Sequence, residues 1–306
     1  MKKVLITGAS GFIGRNCLSR LITSGYDVCA ITPDPIEDAD SGIRWYRTNL
    51  LDPLQTEKLV AEIKATHLLH FAWYAEPQKY WSSEENFKWV EASKVLLNGF
   101  YANGGRRAVM AGTCAEYDWN HGCCIENSTP LIPATLYGKC KNSFRKALSD
   151  FSEETGLSSA WGRIFFLYGP HEYPQRLVSS VIISVLQGKP ASCSHGEQIR
   201  DFLHVKDVAS AFIALLESEI CGPVNIASGQ PLALKEVICK IGEKLKRPDL
   251  IRLGDIPTSK DDPPLLVANI EKLREKVGWT PEYNIESGLD QTIRWWEQNL
   301  WKVKGR

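Results

Sequence analysis

A short apolar run at the start of the chain passes through a glycine turn into an amphipathic stretch. Residues 2–7 are mostly aliphatic, and the turn that follows carries Gly8, Gly11 and Gly14. Apolar residues then recur at helical spacing until Gly25, so this order predicts a strand, a tight turn and a helix. Glycines at a helix N-terminus leave room and free amides for a pyrophosphate. A purely structural turn is the alternative, because the first two glycines lie one residue further apart than in the usual dinucleotide fingerprint.

The alternation between strand-like and helix-like segments continues through most of the chain. Further strands are predicted at 27–32, 44–49, 67–72, from 108 onwards, at 159–167 and at 223–227, with helices at 54–65, 83–102, 136–155, 174–188 and 205–217. Strands that alternate with helices form parallel sheets with crossover connections. We therefore expect an α/β fold with a doubly wound, Rossmann-type parallel sheet.

The pattern loosens towards the C-terminus, where helical segments are predicted at 234–245, 270–276 and 285–299. This predicts a second, smaller and mainly helical lobe. We expect residues 1–168 and 200–228 to form a dinucleotide-binding domain, and residues 169–199 and 229–306 to form a substrate lobe. The substrate would then lie in the cleft between them.

Charge and composition argue against several classes of partner. The 306 residues carry 36 basic and 36 acidic side chains and no long basic run, so we expect no nucleic-acid partner. No segment approaches the ~20 apolar residues that span a bilayer, and no export signal is recognised, so we expect a cytoplasmic protein without a membrane contact. The nine cysteines are scattered, which favours reduced thiols. His121, Cys123 and Cys124 cluster but lack a fourth ligand, so no metal site is expected.

Tyr137 and Lys141 lie four residues apart in a predicted helix, which places a phenol and an ammonium on one face. A neighbouring cation favours the phenolate and lowers the pKa of a tyrosine, so the pair suits proton transfer near neutral pH. An exposed helix face is the alternative for such a short pattern. The order of a glycine turn, then Thr113 after the fifth predicted strand, then this pair is much harder to obtain by chance.

Several segments together resemble the extended short-chain dehydrogenases/reductases that epimerise, dehydrate or reduce nucleotide sugars. The segments that carry the resemblance are 8–14 (Gly-Ala-Ser-Gly-Phe-Ile-Gly), 70–72 (His-Phe-Ala), 163–165 (Arg-Ile-Phe), 168–170 (Tyr-Gly-Pro) and 198–208, from Gln-Ile-Arg-Asp-Phe to His-Val-Lys-Asp-Val. The resemblance covers nearly the whole chain, and these segments are highly specific as a set.

The resemblance implies a catalytic triad. Thr113 would hydrogen-bond the sugar oxygen and Tyr137 would act as acid or base. Lys141 would hold the nicotinamide ribose and depress the pKa of the tyrosine. Members of the family usually dimerise through the helices that match 83–102 and 136–155, so a homodimer is expected.

The resemblance also implies which residues surround the two ligands. Around the dinucleotide it places Gly8, Ser10, Gly11, Phe12, Ile13, Gly14, Thr32, Asn49, Leu50, Phe71, Ala72, Tyr137 and Lys141. Around a nucleotide-diphosphate sugar it places Trp73, Cys114, Arg176 and Arg200. Guanidinium binds phosphate through charge-assisted hydrogen bonds, so Arg200 would pair with the diphosphate, although a surface ion pair is the alternative. Simple packing is the alternative for Cys114 and for the aromatic cluster around Trp73.

The residue at the end of the second strand governs the choice of cofactor. An acidic side chain there binds the ribose 2′-hydroxyl and repels a 2′-phosphate, and this chain has Thr32 instead. Asp34 lies two residues further on and is expected to serve a loop. We therefore expect NADP(H), with Arg15 as a candidate partner of the phosphate, while NAD stays possible.

Departures from the family pattern narrow the reaction. The dehydratase branch carries Asp and Glu directly after its active-site threonine, whereas this chain has Cys114 and Ala115, and Glu116 comes one place too late. Phe166 replaces the asparagine with which many members contact the sugar diphosphate. We expect an NADPH-dependent reductase of a nucleotide-linked 4-keto-6-deoxy sugar, with hydride from the nicotinamide and the proton from Tyr137. The alternatives are an NAD-dependent nucleotide-sugar 4-epimerase and a non-catalytic dinucleotide-binding sensor or assembly factor.

Overall fold

The computed structural model describes residues 2–33, 42–259 and 262–303. Its strands are β1 (Lys3–Thr7), β2 (Asp27–Thr32), β3 (Ile43–Arg47), β4 (His67–His70), β5 (Arg107–Thr113), β6 (Cys123–Cys124), β7 (Ser158–Ile164), β8 (Phe166–Tyr168), β9 (Ala191–Cys193), β10 (Ile199–His204), β11 (Gly222–Ile226), β12 (Pro231–Ala233), β13 (Ile251–Leu253) and β14 (Leu265–Ala268). Its α-helices are α1 (Gly14–Thr23), α2 (Pro53–Ile63), α3 (Glu85–Ala102), α4 (Leu136–Thr155), α5 (Leu177–Leu186), α6 (Val205–Glu217), α7 (Leu234–Lys244) and α8 (Ile285–Asn299).

A seven-stranded parallel sheet forms the centre of the molecule, in the order β11-β7-β5-β4-β1-β2-β3. The chain runs outward from β1 to β3 and then crosses back to β4 on the other side of β1. Ligands of doubly wound sheets bind at the carboxyl ends of the strands around such a reversal. The predicted fold class is confirmed, and the sheet fixes where the site must lie.

Helices cover both faces of this sheet. On one face α1 packs beside α6, and Val4 and Ile6 of β1 join Cys17 and Leu21 of α1 in one buried cluster. Leu5 points to the opposite face, which α2, α3 and α4 cover. Successive side chains of β1 point to opposite faces, as the strand period of two requires. Because helices cover both faces, the central strands are buried on both sides.

Caps explain where the helices of the second face begin and end. The Asp52 side chain accepts hydrogen bonds from the amides of Leu54 and Gln55, and Pro53 fits the first helical position. Thr135 caps α4 by accepting from the amide of Gly138, and Gly156 ends that helix in a left-handed conformation. The start of α4 is therefore fixed, which matters because Tyr137 and Lys141 lie in its first turns.

The second lobe is less helical than the sequence predicted. A sheet in the order β12-β10-β14-β6, with β8 on β10, and a β9-β13 pair accompany α5, α7 and α8. These strands have two to six residues, which is too short for a clear period-two pattern. The division into 1–168 with 200–228 and 169–199 with 229–306 stays a prediction, and β10 lies in the second sheet.

Several element boundaries differ from the sequence-based ones. The segment 159–167 is two strands, because the chain leaves the main sheet after Ile164 and β8 pairs with β10. β3 spans Ile43–Arg47 where the sequence predicted 44–49, and α5 begins at Leu177 where it predicted 174. Within 270–276, Lys272–Lys276 forms a single π-helical segment.

None of the helices in the described ranges is long and apolar enough to cross a membrane. Within the same ranges no group of three or more His, Cys, Asp or Glu side chains could hold a metal ion. The tryptophans near the C-terminus differ in burial. Trp296 is buried and donates to Ser179 Oγ at 3.1 Å, Trp295 stacks on His171, and Trp301 is exposed.

Candidate active site

The glycine turn between β1 and α1 is tight enough to require two of its glycines. Gly8 has a φ of +65°, and a Cβ there would lie 2.9 Å from the amide nitrogen of Ala72. A Cβ on Gly14 would lie 2.2 Å from the carbonyl oxygen of Gly8, which is a backbone atom. A Cβ on Gly11 would lie 3.0 Å from the same oxygen. Close approach of backbone segments therefore explains these glycines, and the bare turn they create also fits a pyrophosphate.

The rest of the turn connects to neighbouring strands. Ser10 Oγ lies 3.1 Å from Thr32 Oγ1 at the end of β2. Phe12 and Ile13 are partly buried, and Ile13 is the N-cap residue of α1 without a side-chain cap. Arg15 donates to the Ser10 carbonyl through Nη2 at 2.6 Å and contacts His171 Nδ1 through Nη1 at 2.5 Å.

The other predicted dinucleotide residues follow the ends of β3 and β4. Asn49 and Leu50 come after β3, where Leu50 is buried and Asn49 Oδ1 accepts from the amide of Leu51 at 3.1 Å. Phe71 and Ala72 come after β4, and the amide of Ala72 donates to Thr7 Oγ1 at 3.2 Å. Parallel strands bring all of these to one edge of the sheet. Asp34 lies outside the described residues.

Thr113, Tyr137 and Lys141 meet at the same edge, at the end of β5. Thr113 is the last residue of β5, and α4 packs so closely on the following turn that a Cβ at Gly138 would lie 2.2 Å from the Ala115 carbonyl oxygen. The Thr113 hydroxyl lies within hydrogen-bonding reach of the Tyr137 phenol. Lys141 Nζ lies 6.0 Å from the centroid of the Tyr137 ring.

Lys141 is a buried cation held by a carbonyl and an indole. Its ammonium donates to the Ala111 carbonyl at 2.9 Å and lies 3.8 Å from the Trp73 ring centroid. Burial lowers the pKa of Lys141 to about 7, with the Glu116 carboxylate acting in the opposite direction. Among the described residues no carboxylate lies within 4.0 Å of this ammonium. A ligand that brings negative charge or hydroxyl groups would therefore stabilise its charged form.

The pKa of Tyr137 departs from the sequence-based expectation. Burial raises it, the neighbouring Tyr80 raises it further, and the hydrogen bond with Thr113 acts in the opposite direction. The expected lowering by Lys141 is therefore not found, because burial disfavours the charged phenolate. The phenol is neutral near pH 7 and can donate a proton.

Aromatic side chains enclose the catalytic pair. The ring centroids of Tyr80 and Tyr137 lie 5.0 Å apart, those of Trp81 and Tyr137 lie 5.8 Å apart, and both pairs meet edge to face. Trp73 donates to Asn86 Oδ1 at 2.8 Å, which fixes its indole over the Lys141 ammonium. The aromatic side chains therefore pack against one another and also surround Tyr137 and Lys141.

The four predicted substrate residues differ in exposure and in their contacts with this pair. Trp73 contacts Lys141, and Cys114 is buried directly after Thr113. Arg176 is exposed, with its guanidinium 5.3 Å from the ring centroid of Tyr80. Arg200 is only 2% exposed.

Arg200 is buried and forms an ion pair with Asp262. Its Nη2 lies 2.5 Å from Asp262 Oδ1, Nη1 donates to the Ile199 carbonyl, and the guanidinium lies 5.3 Å from the Phe166 ring centroid. Its charge favours the thiolate form of Cys114, although burial dominates and raises the pKa of that thiol. The Asp262 partner was missed by sequence reasoning, since it lies 62 positions away.

Glu116 organises the turn that carries Thr113. It is fully buried and accepts from the Thr113 amide at 2.9 Å, from Trp161 Nε1 at 2.8 Å and from Arg163 Nε at 2.9 Å. Thr113 Oγ1 in turn accepts from the Ala115 amide, which completes a capping box. Sequence reasoning considered this carboxylate only as a displaced dehydratase acid. The spacing Thr-x-x-Glu could have identified its capping role.

Comparisons with known proteins identify the family. The family model described as NAD dependent epimerase/dehydratase family matches residues 4–227. The chain belongs to this family. This confirms the recognition made from the sequence and, with it, the prediction of an enzyme.

Individual relatives are similar over most of their length. UDP-glucose 4-epimerase of Corynebacterium glutamicum is 26% identical, over 92% of this chain and 91% of its own. UDP-glucuronic acid decarboxylase 1 of Xenopus tropicalis is 25% identical, over 98% of this chain and 73% of its own. The crystal structure of Thermus thermophilus UDP-glucose 4-epimerase in complex with NAD is 24% identical, with a TM-score of 0.83 over 96% of this chain and 99% of that one. The last similarity concerns the fold.

Proposed function

We propose that this chain is an NADPH-dependent reductase of a nucleotide-linked 4-keto-6-deoxy sugar. The observation that carries the proposal is the meeting of Thr113, Tyr137 and Lys141 at the carboxyl edge of the sheet, beside the glycine turn. Cys114 and Ala115 stand where a dehydratase needs an acidic pair, and Glu116 is fully occupied in a structural network. Reduction and epimerisation need only the triad and the cofactor.

The residues at the carboxyl edge fit a dinucleotide. Gly8, Gly11 and Gly14 place no Cβ at the bends of the turn. Lys141 is a buried ammonium without a carboxylate partner among the described residues. Thr32, at the end of β2, brings no negative charge that would repel a 2′-phosphate. These features support NADP(H), which supplies hydride to a carbonyl when bound.

The chain's own groups would perform the proton chemistry. The raised pKa keeps the Tyr137 phenol protonated, so it can donate to the oxygen of the keto group as the negative charge develops there. The Thr113 hydroxyl would hydrogen-bond the same oxygen and hold the carbonyl beside the phenol. The Lys141 ammonium would stabilise the phenolate left behind, since its charge lies on the same helix face.

Arg176 and Arg200 would bind the diphosphate of the sugar nucleotide. Arg176 has an exposed guanidinium that lies over Tyr80, next to the catalytic tyrosine. Arg200 would have to share its charge between Asp262 and the phosphates, and Phe166 stacks on it. Cys114 and Trp73 would line the sugar end of the pocket.

The surroundings proposed for the chain are those of a cytoplasmic homodimer. The contact would form through α3 and α4, where Phe87 is exposed and Tyr101 packs on Phe151 at the surface. A paired face would cover this apolar surface.

A second candidate is an NAD-dependent nucleotide-sugar 4-epimerase, which uses the same triad. It is supported by the names of the similar proteins, which include UDP-glucose 4-epimerases of Corynebacterium glutamicum and of Rhizobium meliloti. Thr32 weighs against this candidate, because an NAD enzyme gains from an acidic residue at that position.

The test mixes the purified chain with excess NADPH and a panel of nucleotide-linked 4-keto-6-deoxy sugars. A reductase consumes one NADPH for each sugar reduced, so the absorbance of NADPH should fall in proportion to the substrate added. An unchanged absorbance with the whole panel, together with interconversion of a UDP- or GDP-hexose and its C4 epimer, would replace the first proposal by the second.

A further inference from the structure

We propose that Arg47 binds the 2′-phosphate of NADP(H) and sets the cofactor preference of this chain. The inference rests on the proposed function only in its choice of NADP(H) as cofactor. The sequence pointed to Arg15, directly after Gly14, as the candidate partner of the phosphate and gave no reason to consider Arg47. The structure brings it to the end of β2 through the pairing of two strands.

The register of β2 and β3 places Arg47 beside Thr32. The two residues are paired positions of adjacent parallel strands, and the amide of Thr48 donates to the Thr32 carbonyl at 3.1 Å. The end of the second strand is where doubly wound folds distinguish a ribose hydroxyl from a phosphate. Arg47 is therefore the residue of the neighbouring strand closest to that position.

Arg47 lies on the same face of the sheet as Thr32 and the glycine turn. Ala30 and Trp45, two residues before Thr32 and Arg47, both belong to the apolar cluster on the α1 side. Side chains alternate along a strand, so Thr32 and Arg47 point to that side as well. The contact of Thr32 with Ser10, in the turn that precedes α1, agrees with this orientation.

The guanidinium of Arg47 lies past the end of β2 and has donors to offer. Its Nε donates to the carbonyl of Pro33 at 3.3 Å, and the side chain is exposed. Over residues 2–33, 42–259 and 262–303 no carboxylate lies within 4.0 Å of it, whereas Arg44 on the same strand pairs with Asp27. The two terminal nitrogens of a guanidinium can bind two phosphate oxygens at once.

Arg15, the candidate from the sequence, is committed elsewhere. Its Nε and Nη2 both donate to the Ser10 carbonyl, and Nη1 contacts His171. These bonds hold the glycine turn against the loop that follows β8. Arg15 is thus assigned to positioning the turn, and Arg47 to the phosphate.

The test measures dissociation constants of NADPH and NADH by titration calorimetry for the full chain and four variants, Arg47→Ala, Arg47→Lys, Arg44→Ala and Arg15→Ala. Arg47→Ala should raise the dissociation constant of NADPH by at least about tenfold and change that of NADH by less than about twofold, because only NADPH carries the 2′-phosphate. The dissociation constant of NADPH for Arg47→Lys should fall between those of the wild type and of Arg47→Ala, because lysine keeps the charge and loses the planar pair of donors. Arg44→Ala is the matched control on β3 and should leave the ratio of the two constants unchanged.

The outcomes separate this inference from the proposed function. A wild-type chain that binds NADH more tightly than NADPH overturns both the inference and the cofactor half of the proposed function. A wild-type preference for NADPH that survives in Arg47→Ala, or that is lost in Arg15→Ala instead, overturns the inference alone. Loss of the preference in Arg47→Ala supports it even if every keto sugar leaves NADPH unconsumed.

Discussion

Lys141 combines a low pKa with a buried position beside the proposed cofactor site. Burial lowers its pKa to about 7, and a carbonyl and an indole are its close polar and aromatic partners. Because the folded-state pKa is about 7, below the ordinary value of 10.5, the Lys141 side chain is largely a neutral amine at pH 8 and largely a charged ammonium at pH 6. Negative charge from a bound dinucleotide favours the charged form and raises this pKa.

We therefore predict that NADPH binding takes up a proton at pH 8, approaching one per site, and nearly none at pH 6. Titration calorimetry in buffers of different ionisation enthalpy measures this uptake directly. Lys141→Met, which keeps the length and removes the charge, should abolish the dependence on buffer. If that variant does not bind NADPH, the comparison of pH 6 with pH 8 in the wild type decides. A heat of binding at pH 8 that is independent of buffer would contradict the assignment.

Tyr137 differs from the other tyrosines of the described residues in lying next to both Thr113 and Lys141. Its hydroxyl is the proton donor of the proposed reaction, while its ring packs against Tyr80 and Trp81. Removal of the hydroxyl leaves the ring contacts in place. Catalysis and packing can therefore be separated at this residue.

Tyr137→Phe should reduce kcat by about 10²–10⁴-fold, the usual contribution of a general acid, and change the Kd of NADPH by less than about twofold. Steady-state kinetics and calorimetry check the two halves. Tyr101→Phe is the control, because the Tyr101 hydroxyl also donates a hydrogen bond, to the Thr155 carbonyl, far from the triad. A Tyr137→Phe enzyme that keeps most of its kcat would remove Tyr137 from the mechanism.

At the scale of elements, a buried polar network connects the turn after β5 with β7 and β11. Glu116 binds Arg163, Arg163 Nη1 donates to the Tyr117 hydroxyl at 2.9 Å, and that hydroxyl donates to Asn225 Oδ1 at 2.7 Å. The carboxylate and guanidinium are both fully buried, so each needs the other to compensate for lost hydration. The network holds Thr113 at the place where α4 delivers Tyr137.

Glu116→Ala should lower the free energy of unfolding by about 3–5 kcal/mol, because it leaves a buried guanidinium unpaired. Urea denaturation measures this loss. Glu85→Ala, which breaks the exposed pair with Lys88 on α3, should cost less than about 1 kcal/mol. Unchanged stability together with lost activity would instead make Glu116 a catalytic acid of the dehydratase kind.

The sequence predicted the elements of the main sheet well because their signals are local. The apolar run before Gly8, the proline and cap at the start of α2 and the glycine after α4 each act within a few residues. The strands of the second lobe were missed because β6, β9 and β13 have only two or three residues and depend on distant partners. Short strands of this kind have no periodicity from which to predict them.

The same contrast between local signals and contacts between distant residues applies to the site. Thr113, Tyr137 and Lys141 were predictable as a set, and the structure brings them together. The indole over Lys141, the Asp262 beside Arg200 and the pairing of Arg47 with Thr32 each join residues that are distant in the sequence. Only the folded sheet and its second lobe make these contacts, so the pKa of Tyr137 and the surroundings of Arg200 could not be foreseen.

For the molecule as a whole, the predicted dinucleotide and catalytic residues depend on one edge of the parallel sheet. The reversal of strand order around β1 places the glycine turn, the end of β2 and the end of β5 on that edge. The second lobe brings Arg176 and Arg200 towards the same region through α5 and β10. A dinucleotide and a sugar nucleotide would therefore meet above the triad.

The most direct test of the reductase proposal follows a deuterium label. NADPH that carries deuterium at the transferred position is incubated with the enzyme and a nucleotide-linked 4-keto-6-deoxy sugar, and the product is analysed by mass spectrometry and NMR. We expect one deuterium at C4 of the new hydroxy sugar for each NADPH oxidised, since Thr113 and Tyr137 would hold that carbonyl for hydride transfer. A hydroxy sugar without deuterium at C4, or a keto sugar that stays unreduced while NADPH is not consumed, would overturn the proposal.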